Sequence, residues 1–315
     1  MAKFDNDFVI ENSEITELSA QKKSFAGTDS VQIPFSVGVG PGHRSRGIPY
    51  FCTTSNPSSV FTTSKQTNSI TVPIIYYTFE VQSDVYFYNQ ATNGVETLRG
   101  SVVANAAKSS TQYKRGSYSI KFDGTTDYLD MDAVSSTIQN METGSITFWV
   151  YIDDYSTSNR VFFEARDLTD GADSQLEIYV SSALNKTGFL VKEGGSTVLD
   201  LSWSGKPNLG EWAHISITVG DNGTIFYLNG AVAASSTTQA FFNDVDSIDI
   251  VTLGAEYPPP GTEHKGYIDE FAIWDVELNS TIIAAIAAST PPDLNTVCGE
   301  VDPKYQPRTG ILTYD

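Results

Sequence analysis

The chain has 315 residues, of which 40% are hydrophobic and 12% aromatic, and its 38 acids and 19 bases give a net charge of −19. This acidity argues against a nucleic-acid partner, because binding to phosphates requires a basic face that displaces counterions. The length exceeds what one β-sandwich usually needs, so we expect one domain with extra segments. Two lone cysteines, Cys52 and Cys298, exclude a disulfide framework, and the sequence leaves open whether they pair.

Residues 1–70 differ in composition from the rest of the chain. Glycine and proline interrupt the stretch Phe35–Pro49, and a Ser/Thr-rich run follows from Thr53 to Ser69. Such a segment alone could hardly offset its own ordering entropy, so we expect a partner or a neighbouring copy to hold it as an extended anchoring arm. An export signal and a membrane-spanning stretch are both missing from the sequence, so neither Sec-type secretion nor membrane insertion is expected.

Short strands are predicted from residue 71 onward. The segment Thr71–Glu80 predicts the first strand, and two Asx-Gly turns bracket another at Thr224–Leu228, which indicates a meander. Three further blocks alternate apolar and other residues, as half-buried strands do. Their apolar positions are Tyr118, Ile120 and Phe122; Ile146, Phe148, Val150 and Ile152; and Ile215, Ile217 and Val219.

The period of two ends after Trp274. Asn279 or Ser280 can cap a short helix there. The apolar side of that helix would carry Ile282, Ile283 and Ile286. Residues 289–315 contain four prolines and are expected to form an irregular C-terminal tail.

The order and content of these blocks resemble the laminin-G-like, concanavalin A-like family. The blocks that carry the resemblance are Tyr118–Leu129, Gly144–Ile152, Trp212–Val219, Phe226–Gly230 and Gly266–Trp274. The resemblance implies an all-β, two-sheet antiparallel jelly-roll sandwich over residues 71–288, between the arm of residues 1–70 and the tail of residues 289–315. This fold carries lectins, glycosidases, adhesins and structural modules, so it does not define the function.

Asp269 is the acid of greatest interest in the sequence. Strict alternation places it on the same sheet face as Tyr267, Phe271 and Ile273, and a carboxylate on a mainly apolar face needs a partner. The partner is either a set of backbone N–H groups or a Ca²⁺ ion. Related jelly rolls often hold one structural Ca²⁺, and the resemblance suggests four ligands: Glu80, Asp123, Asp127 and Asp269.

A catalytic pair of acids is not predicted. In jelly-roll glycosidases the two carboxylates lie two or four residues apart on one strand. We find no Glu-x-Asp-x-Glu or related pattern, and the neighbours Asp269 and Glu270 should point to opposite faces of their strand. The chain is therefore expected not to be an enzyme.

Aromatic side chains are the candidates for sugar binding, because sugars stack on exposed rings while polar groups hold their hydroxyls. The candidates are Trp149, Tyr151, Tyr179, Trp203 and Tyr257. The alternative is a second layer of packing against a terminal arm or a neighbouring subunit. The loop Glu256–Lys265 is expected at the rim, where such folds usually bind.

These observations favour a non-enzymatic virion structural or adhesive protein, either a capsid-decoration or a tail-associated component. The resemblance contributes to this expectation, since viruses often display laminin-G-like domains. The arm would contact other virion proteins, the jelly roll could bind a surface glycan, and a symmetric shell or tail would require a homo-oligomer. The alternatives are a carbohydrate-active enzyme, its detached binding module, or an extracellular bacterial adhesin.

Overall fold

The computed structural model describes five segments of the chain: residues 72–83, 85–92, 97–155, 159–259 and 262–296. The predicted anchoring arm, residues 1–70, lies outside the described residues. So do Cys52, Cys298 and the part of the predicted tail that follows residue 296.

The described residues form seventeen β-strands and two short α-helices. In chain order the strands are β1 (Ile75–Tyr77), β2 (Gln82–Ser83), β3 (Tyr86–Phe87), β4 (Gly100–Val103), β5 (Ala107–Ser109), β6 (Ser119–Asp123), β7 (Tyr128–Asp130), β8 (Gly144–Ile152), β9 (Asn159–Arg166), β10 (Gln175–Ser181), β11 (Lys186–Glu193), β12 (Ser196–Trp203), β13 (Trp212–Gly220), β14 (Gly223–Leu228), β15 (Ala231–Ser236), β16 (Ile250–Leu253) and β17 (Lys265–Trp274). The helices are α1 (Ser135–Ile138) and α2 (Ser280–Ile286). Four 3₁₀ turns span Asp132–Val134, Gly171–Asp173, Phe242–Asp244 and Leu294–Thr296.

The strands form two sheets. Sheet I has the order β15-β14-β13-β8-β17-β6-β5, and β1 also pairs with β17. Sheet II has the order β12-β11-β10-β9-β16-β7-β4-β3-β2. Every pairing between these strands is antiparallel. The predicted two-sheet antiparallel jelly-roll sandwich with little helix is therefore confirmed.

The main hydrophobic core lies between the inner faces of the two sheets. Phe148 and Val150 of β8 in sheet I and Phe163 and Ala165 of β9 in sheet II belong to one buried cluster. Each fully buried aliphatic or aromatic side chain of this kind contributes about 1.5–3 kcal/mol to folding. The alternation predicted for β6, β8 and β13 thus places their apolar residues in the core.

A second, smaller core lies on the outer face of sheet I under α2. Asn279 caps this helix, since its side chain accepts a hydrogen bond from the Ile282 N–H at 3.0 Å. The helix buries Ile282, Ile283 and Ile286 against Tyr76, Tyr227 and Trp274. The predicted C-terminal helix and its apolar side are therefore confirmed, and α2 covers one end of this sheet.

The predicted meander is formed by β13, β14 and β15. Asn229 and Gly230 both have positive φ, +50° and +81°, in the turn that joins β14 to β15. The Asn229 side chain also accepts a hydrogen bond from the His214 N–H at 2.8 Å. The Asx-Gly turn thus also fixes the end of the β13–β14 pair.

Candidate functional site

Two of the four predicted calcium ligands, Asp123 and Asp127, lie at the end of β6 and in the turn that follows. Asp127 is fully buried, and its Oδ2 accepts a hydrogen bond from the Asp123 N–H at 2.6 Å. Asp123 in turn accepts from the backbone N–H of Thr125 at 2.9 Å. Burial, followed by the bond to Asp123, raises the pKa of Asp127 to about 6, whereas hydrogen bonds lower the pKa of Asp123. These contacts hold the turn, whereas Asp127 Oδ1 is buried and accepts no hydrogen bond from the described residues.

The other two predicted ligands, Glu80 and Asp269, both bind backbone N–H groups of the segment between β5 and β6. Glu80 Oε1 accepts from residues 117 and 118, at 2.7 and 2.9 Å. Asp269 Oδ2 accepts from Lys114 and Arg115, at 2.7 and 3.1 Å. In the described part of the chain no group of three or more His, Cys, Asp or Glu side chains is arranged to hold a metal ion. Calcium binding stays a prediction for titration.

The structure corrects the predicted orientation of Asp269 and Glu270. The register of β17 against β8 shifts between Asp269 and Ala272, and Glu270 has a positive φ of +52°. Ile268 and Phe271 both enter the main core, so the two acids between them lie together on the outer face of sheet I. The prediction of opposite faces was wrong, because it assumed unbroken alternation.

Arg115 joins these two acids. Its backbone N–H binds Asp269, and its guanidinium is 3.4 Å from Glu270 Oε1 and 3.3 Å from Asp293 Oδ2. Glu270 also accepts a hydrogen bond from the Tyr76 hydroxyl. Burial raises the pKa of Glu270 to about 7, and burial and the neighbouring Glu270 raise the pKa of Asp269. The cluster connects β1, β17 and the segment before β6, and its oxygens already face protein groups.

Trp149 lies on the outer face of sheet I but is only 4% exposed. The Lys114 ammonium is 3.9 Å from the centre of its ring, and the His214 ring packs edge-on at 5.0 Å. Burial lowers the pKa of His214 to about 3, so this histidine is neutral at physiological pH. The contacts of Trp149 match the packing alternative, with the chain's own residues as the second layer.

Tyr151 belongs to a row of aromatic side chains on the same face. It lies between Trp212 of β13 and Tyr267 of β17, with edge-to-face centroid distances of 5.6 and 5.7 Å. Tyr151 and Trp212 are half-buried, and Tyr267 is buried. The Lys121 ammonium lies 5.9 Å from the centre of the Tyr267 ring, at one end of the row.

Tyr179 belongs to β10 and Trp203 to β12, the edge strand of sheet II, and the two side chains lie on different faces of the sheet. Tyr179 packs over Gly188 of β11, where an added Cβ would lie 2.8 Å from the ring. Trp203 ends β12 on the same side as Leu201 and packs against the main core. Tyr179 is therefore on the outer face of sheet II, whereas Trp203 is at the edge of the sandwich interior.

Tyr257 lies in the loop that follows β16 and covers the outer face of sheet II. Its ring packs edge-on against Tyr128 of β7, with centroids 6.5 Å apart. Both tyrosines are half-buried. Beside them lie buried polar side chains of the central strands. We call this surface the tyrosine face, and it comprises Tyr128, Glu164, Arg166, Glu177, Glu256 and Tyr257.

Two carboxylates lie side by side at the centre of the tyrosine face. Glu164 of β9 and Glu177 of β10 occupy directly opposite positions of an antiparallel pair. Such positions place Cβ atoms about 4.5–5.5 Å apart, where like charges are unfavourable. Glu164 is fully buried and Glu177 is 7% exposed.

Arg166 connects this pair to the covering loop. Its guanidinium lies 2.5 Å from Glu164 Oε1 and 3.2 Å from Glu256 Oε1, and it donates to Gln175 at 2.5 Å. It also donates to the Tyr257 carbonyl, while the Tyr257 N–H donates to Glu164 Oε2 at 2.7 Å. The N–H and the carbonyl of Tyr257 therefore both bind the network and hold the loop against it.

The environment of the two carboxylates raises their pKa values toward neutral pH. Burial raises the pKa of Glu164 to about 8, although Arg166 opposes the change. Burial and the nearby Glu256 raise the pKa of Glu177 to about 7. Strongly shifted acids in one cluster are typical of functional sites, but also of structural networks.

The sequence interpretation missed this network. The two acids are thirteen residues apart, so a search for paired acids within one strand could not find them. The available signal was alternation: Glu164 and Arg166 share one face of β9, and Gln175 and Glu177 share one face of β10. Pairing the two strands as a hairpin would have brought the four side chains together.

The chain belongs to the concanavalin A-like lectin/glucanases superfamily, because a laminin-G-type family model with that description matches residues 123–284. A comparison with curated protein sequences found no match. No helix in the described part of the chain is long and apolar enough to cross a membrane.

Two solved structures illustrate the similarity of fold. Domain 4 of AbnA, a GH43 extracellular arabinanase from Geobacillus stearothermophilus solved with arabinotriose, has a TM-score of 0.53 and 16% identity, over 69% of this chain and 100% of the domain. Trypanosoma rangeli sialidase in complex with 2,3-difluoro-KDN has a TM-score of 0.51 and 14% identity, over 69% of this chain and 32% of the sialidase. At these identities the similarity establishes the fold.

Proposed function

We propose that this chain is a non-enzymatic virion structural or adhesive protein whose laminin-G-like domain binds carbohydrate through the tyrosine face. The observation that carries the binding role is the convergence on one sheet face of two half-buried tyrosine rings, Tyr128 and Tyr257, with a network of carboxylates around Arg166. Sugar sites combine these two elements, a ring for the apolar side of the sugar and fixed polar groups for its hydroxyls.

The polar groups of the face suit sugar hydroxyls. The Glu256 carboxylate is 32% exposed, whereas Glu177 is 7% exposed. Carboxylates accept hydrogen bonds from hydroxyls, and a protonated carboxyl group can also donate one. The network holds these side chains in place before a ligand arrives, which lowers the entropy cost of binding.

The arabinanase domain with the same fold was solved with arabinotriose, which supports a carbohydrate ligand for this domain as well. That domain is matched along its whole length, whereas the sialidase is matched over 32% of its chain. The likeness supports a role as a binding module rather than any particular activity.

A second candidate function is glycoside hydrolysis, which the paired carboxylates Glu164 and Glu177 favour, because glycosidases use two acids with different protonation states. The contacts of Glu164 argue for the non-enzymatic alternative. One of its oxygens accepts from the Tyr257 N–H, the other pairs with Arg166, and the side chain is fully buried. A catalytic acid must reach the glycosidic oxygen, and the fully buried carboxylate of Glu164 is not accessible to a substrate.

The virion role rests on the acidic composition and on the laminin-G-like domain. In this proposal the segment of residues 1–70 anchors the protein to other virion proteins, as a capsid-decoration or tail-associated component, and the chain assembles as a homo-oligomer. It would reach the virion during assembly in the host cytoplasm, and an extracellular adhesin is the alternative. Deletion of residues 1–70 tests the anchor: incorporation into particles should be lost while the jelly roll stays folded, and unchanged incorporation would contradict it.

A glycan array with the full chain tests the carbohydrate role. We expect a defined set of bound glycans, and Tyr257→Ala and Tyr128→Ala should each weaken binding at least tenfold, since truncating an aromatic hot-spot side chain costs about 2 kcal/mol or more. Tyr113→Ala removes a 46% exposed tyrosine from the segment between β5 and β6 in sheet I and should leave affinity unchanged. Loss of binding in the Tyr113 variant alone would move the site to the other sheet. Sugar release by the wild-type chain, abolished in Glu177→Gln, would instead support the hydrolase.

A further inference from the structure

The tyrosine face carries more negative than positive charge. Arg166 is its single cation and contacts Glu164 and Glu256, Glu177 lies opposite Glu164, and Asp130 lies two strands away in the row of paired residues that contains Glu164. The face is therefore rich in hydrogen-bond acceptors and poor in cations. A ligand bound over it meets these acids first.

The cation of this face, Arg166, is already engaged by the protein. Arg166 contacts two carboxylates, a side-chain amide and the Tyr257 carbonyl, and its Nε is buried without a hydrogen-bond partner. Lys186 lies 3.4 Å from Asp200, and Lys192 donates to a backbone carbonyl at 3.4 Å. Both lysines are partly exposed residues of β11 outside the face, so Arg166 is the one cation among the six residues of the tyrosine face, and its guanidinium already pairs with Glu164 and Glu256.

We infer that the tyrosine face takes neutral oligosaccharides and rejects sialic acid and other acidic sugars. This inference rests on the proposed carbohydrate-binding function and names the class of ligand for the same site. The hydroxyls of a neutral sugar donate hydrogen bonds to Glu177 and Glu256, and the sugar ring stacks on Tyr257. An acidic sugar places its carboxylate beside like charges in a partly desolvated site, where charge repulsion is strong.

The ligand class inferred for this domain differs from that of the sialidase, of which 32% matches this chain. The sialidase similar to this chain was solved with a difluorinated acidic sugar. Recognition of a sugar carboxylate generally uses an arginine with free donors in a planar pair. In this chain the Arg166 N–H groups that face the loop already bind the loop.

A glycan array of matched pairs tests the inference, with each neutral chain printed beside its sialylated form and probed with the full-length protein at pH 7.5. We expect the neutral member to bind at least tenfold more tightly than its sialylated partner in every pair that is bound. Equal or tighter binding of the sialylated members would overturn the inference and leave the proposed function intact. Binding to no glycan would overturn both.

Charge variants test whether the acids of the tyrosine face cause the preference for neutral over sialylated glycans. The double variant Glu177→Gln, Glu256→Gln keeps side-chain size and removes two acidic groups. It should lower the ratio of neutral to sialylated glycan affinity at least threefold. Glu193→Gln removes one exposed acid from the end of β11 and should leave the ratio unchanged. An unchanged ratio in the double variant would mean that the acids of the tyrosine face do not select the ligand. Circular dichroism confirms the fold of each variant.

Discussion

Replacing Glu177 by glutamine should remove a pH-dependent loss of stability. Burial raises the pKa of Glu177 from 4.5 to about 7 in the folded state. The folded state therefore binds a proton that the unfolded chain has lost between pH 4.5 and 7, and stability falls as pH rises through this window. At about 1.4 kcal/mol per pH unit, the gap corresponds to ~3 kcal/mol. Glutamine cannot ionise, so the Glu177→Gln variant should lack this loss.

Urea unfolding followed by tryptophan fluorescence at several values between pH 4.5 and 8 measures the effect. The free energy of unfolding of Glu177→Gln relative to wild type should rise by about 3 kcal/mol across this range. Burial lowers the pKa of His214 and His264 to about 3, so both histidines change stability in the opposite direction below pH 6.5. That contribution is common to both proteins and cancels in the difference.

The matched control is Glu193→Gln, which removes an exposed acid from β11. Its stability should follow the wild-type curve at every pH. Parallel curves for wild type and Glu177→Gln between pH 4.5 and 8 would refute the reasoning, because they would mean that Glu177 ionises equally in the folded and unfolded chains.

Three further predictions concern other parts of the domain. Asp269→Ala should lower the free energy of unfolding, measured in urea, by about 3 kcal/mol or more, because three backbone N–H groups lose their acceptor. A loss below about 1 kcal/mol would contradict the role of Asp269 as acceptor for these groups. Gly188→Ala should cost about 1–3 kcal/mol in thermal unfolding, because the new Cβ displaces the Tyr179 ring, and an unchanged melting temperature would show that the ring moves freely. If Asp123 and Asp127 take Ca²⁺, millimolar CaCl₂ should raise the melting temperature and EDTA should reverse the rise; no change removes the calcium prediction.

The sandwich was predictable because most strands keep one face in the core. Apolar residues at every second position gave β6, β8 and β13, and Asn229-Gly gave the turn after β14. The C-terminal helix followed from its cap and its three isoleucines. Each of these signals is local, so no knowledge of strand pairing was required.

Features that depend on pairing could not be predicted in the same way. The bulge at Glu270 inserts one residue into β17, and nothing in the local sequence distinguishes it from regular alternation. The pair Glu164 and Glu177 depends on the register between β9 and β10, which long-range packing sets. The sequence therefore named Tyr257 as a candidate without the polar network beside it.

The placement of the binding site on the tyrosine face is tested most directly by NMR. Backbone amide signals of the isotope-labelled chain are followed while the strongest neutral glycan from the array is added. If the site lies on the tyrosine face, shifts concentrate in β9, β10 and the loop around Tyr257, with saturation at the affinity measured by calorimetry. Shifts confined to the aromatic row of Tyr151, Trp212 and Tyr267 on sheet I would contradict this placement.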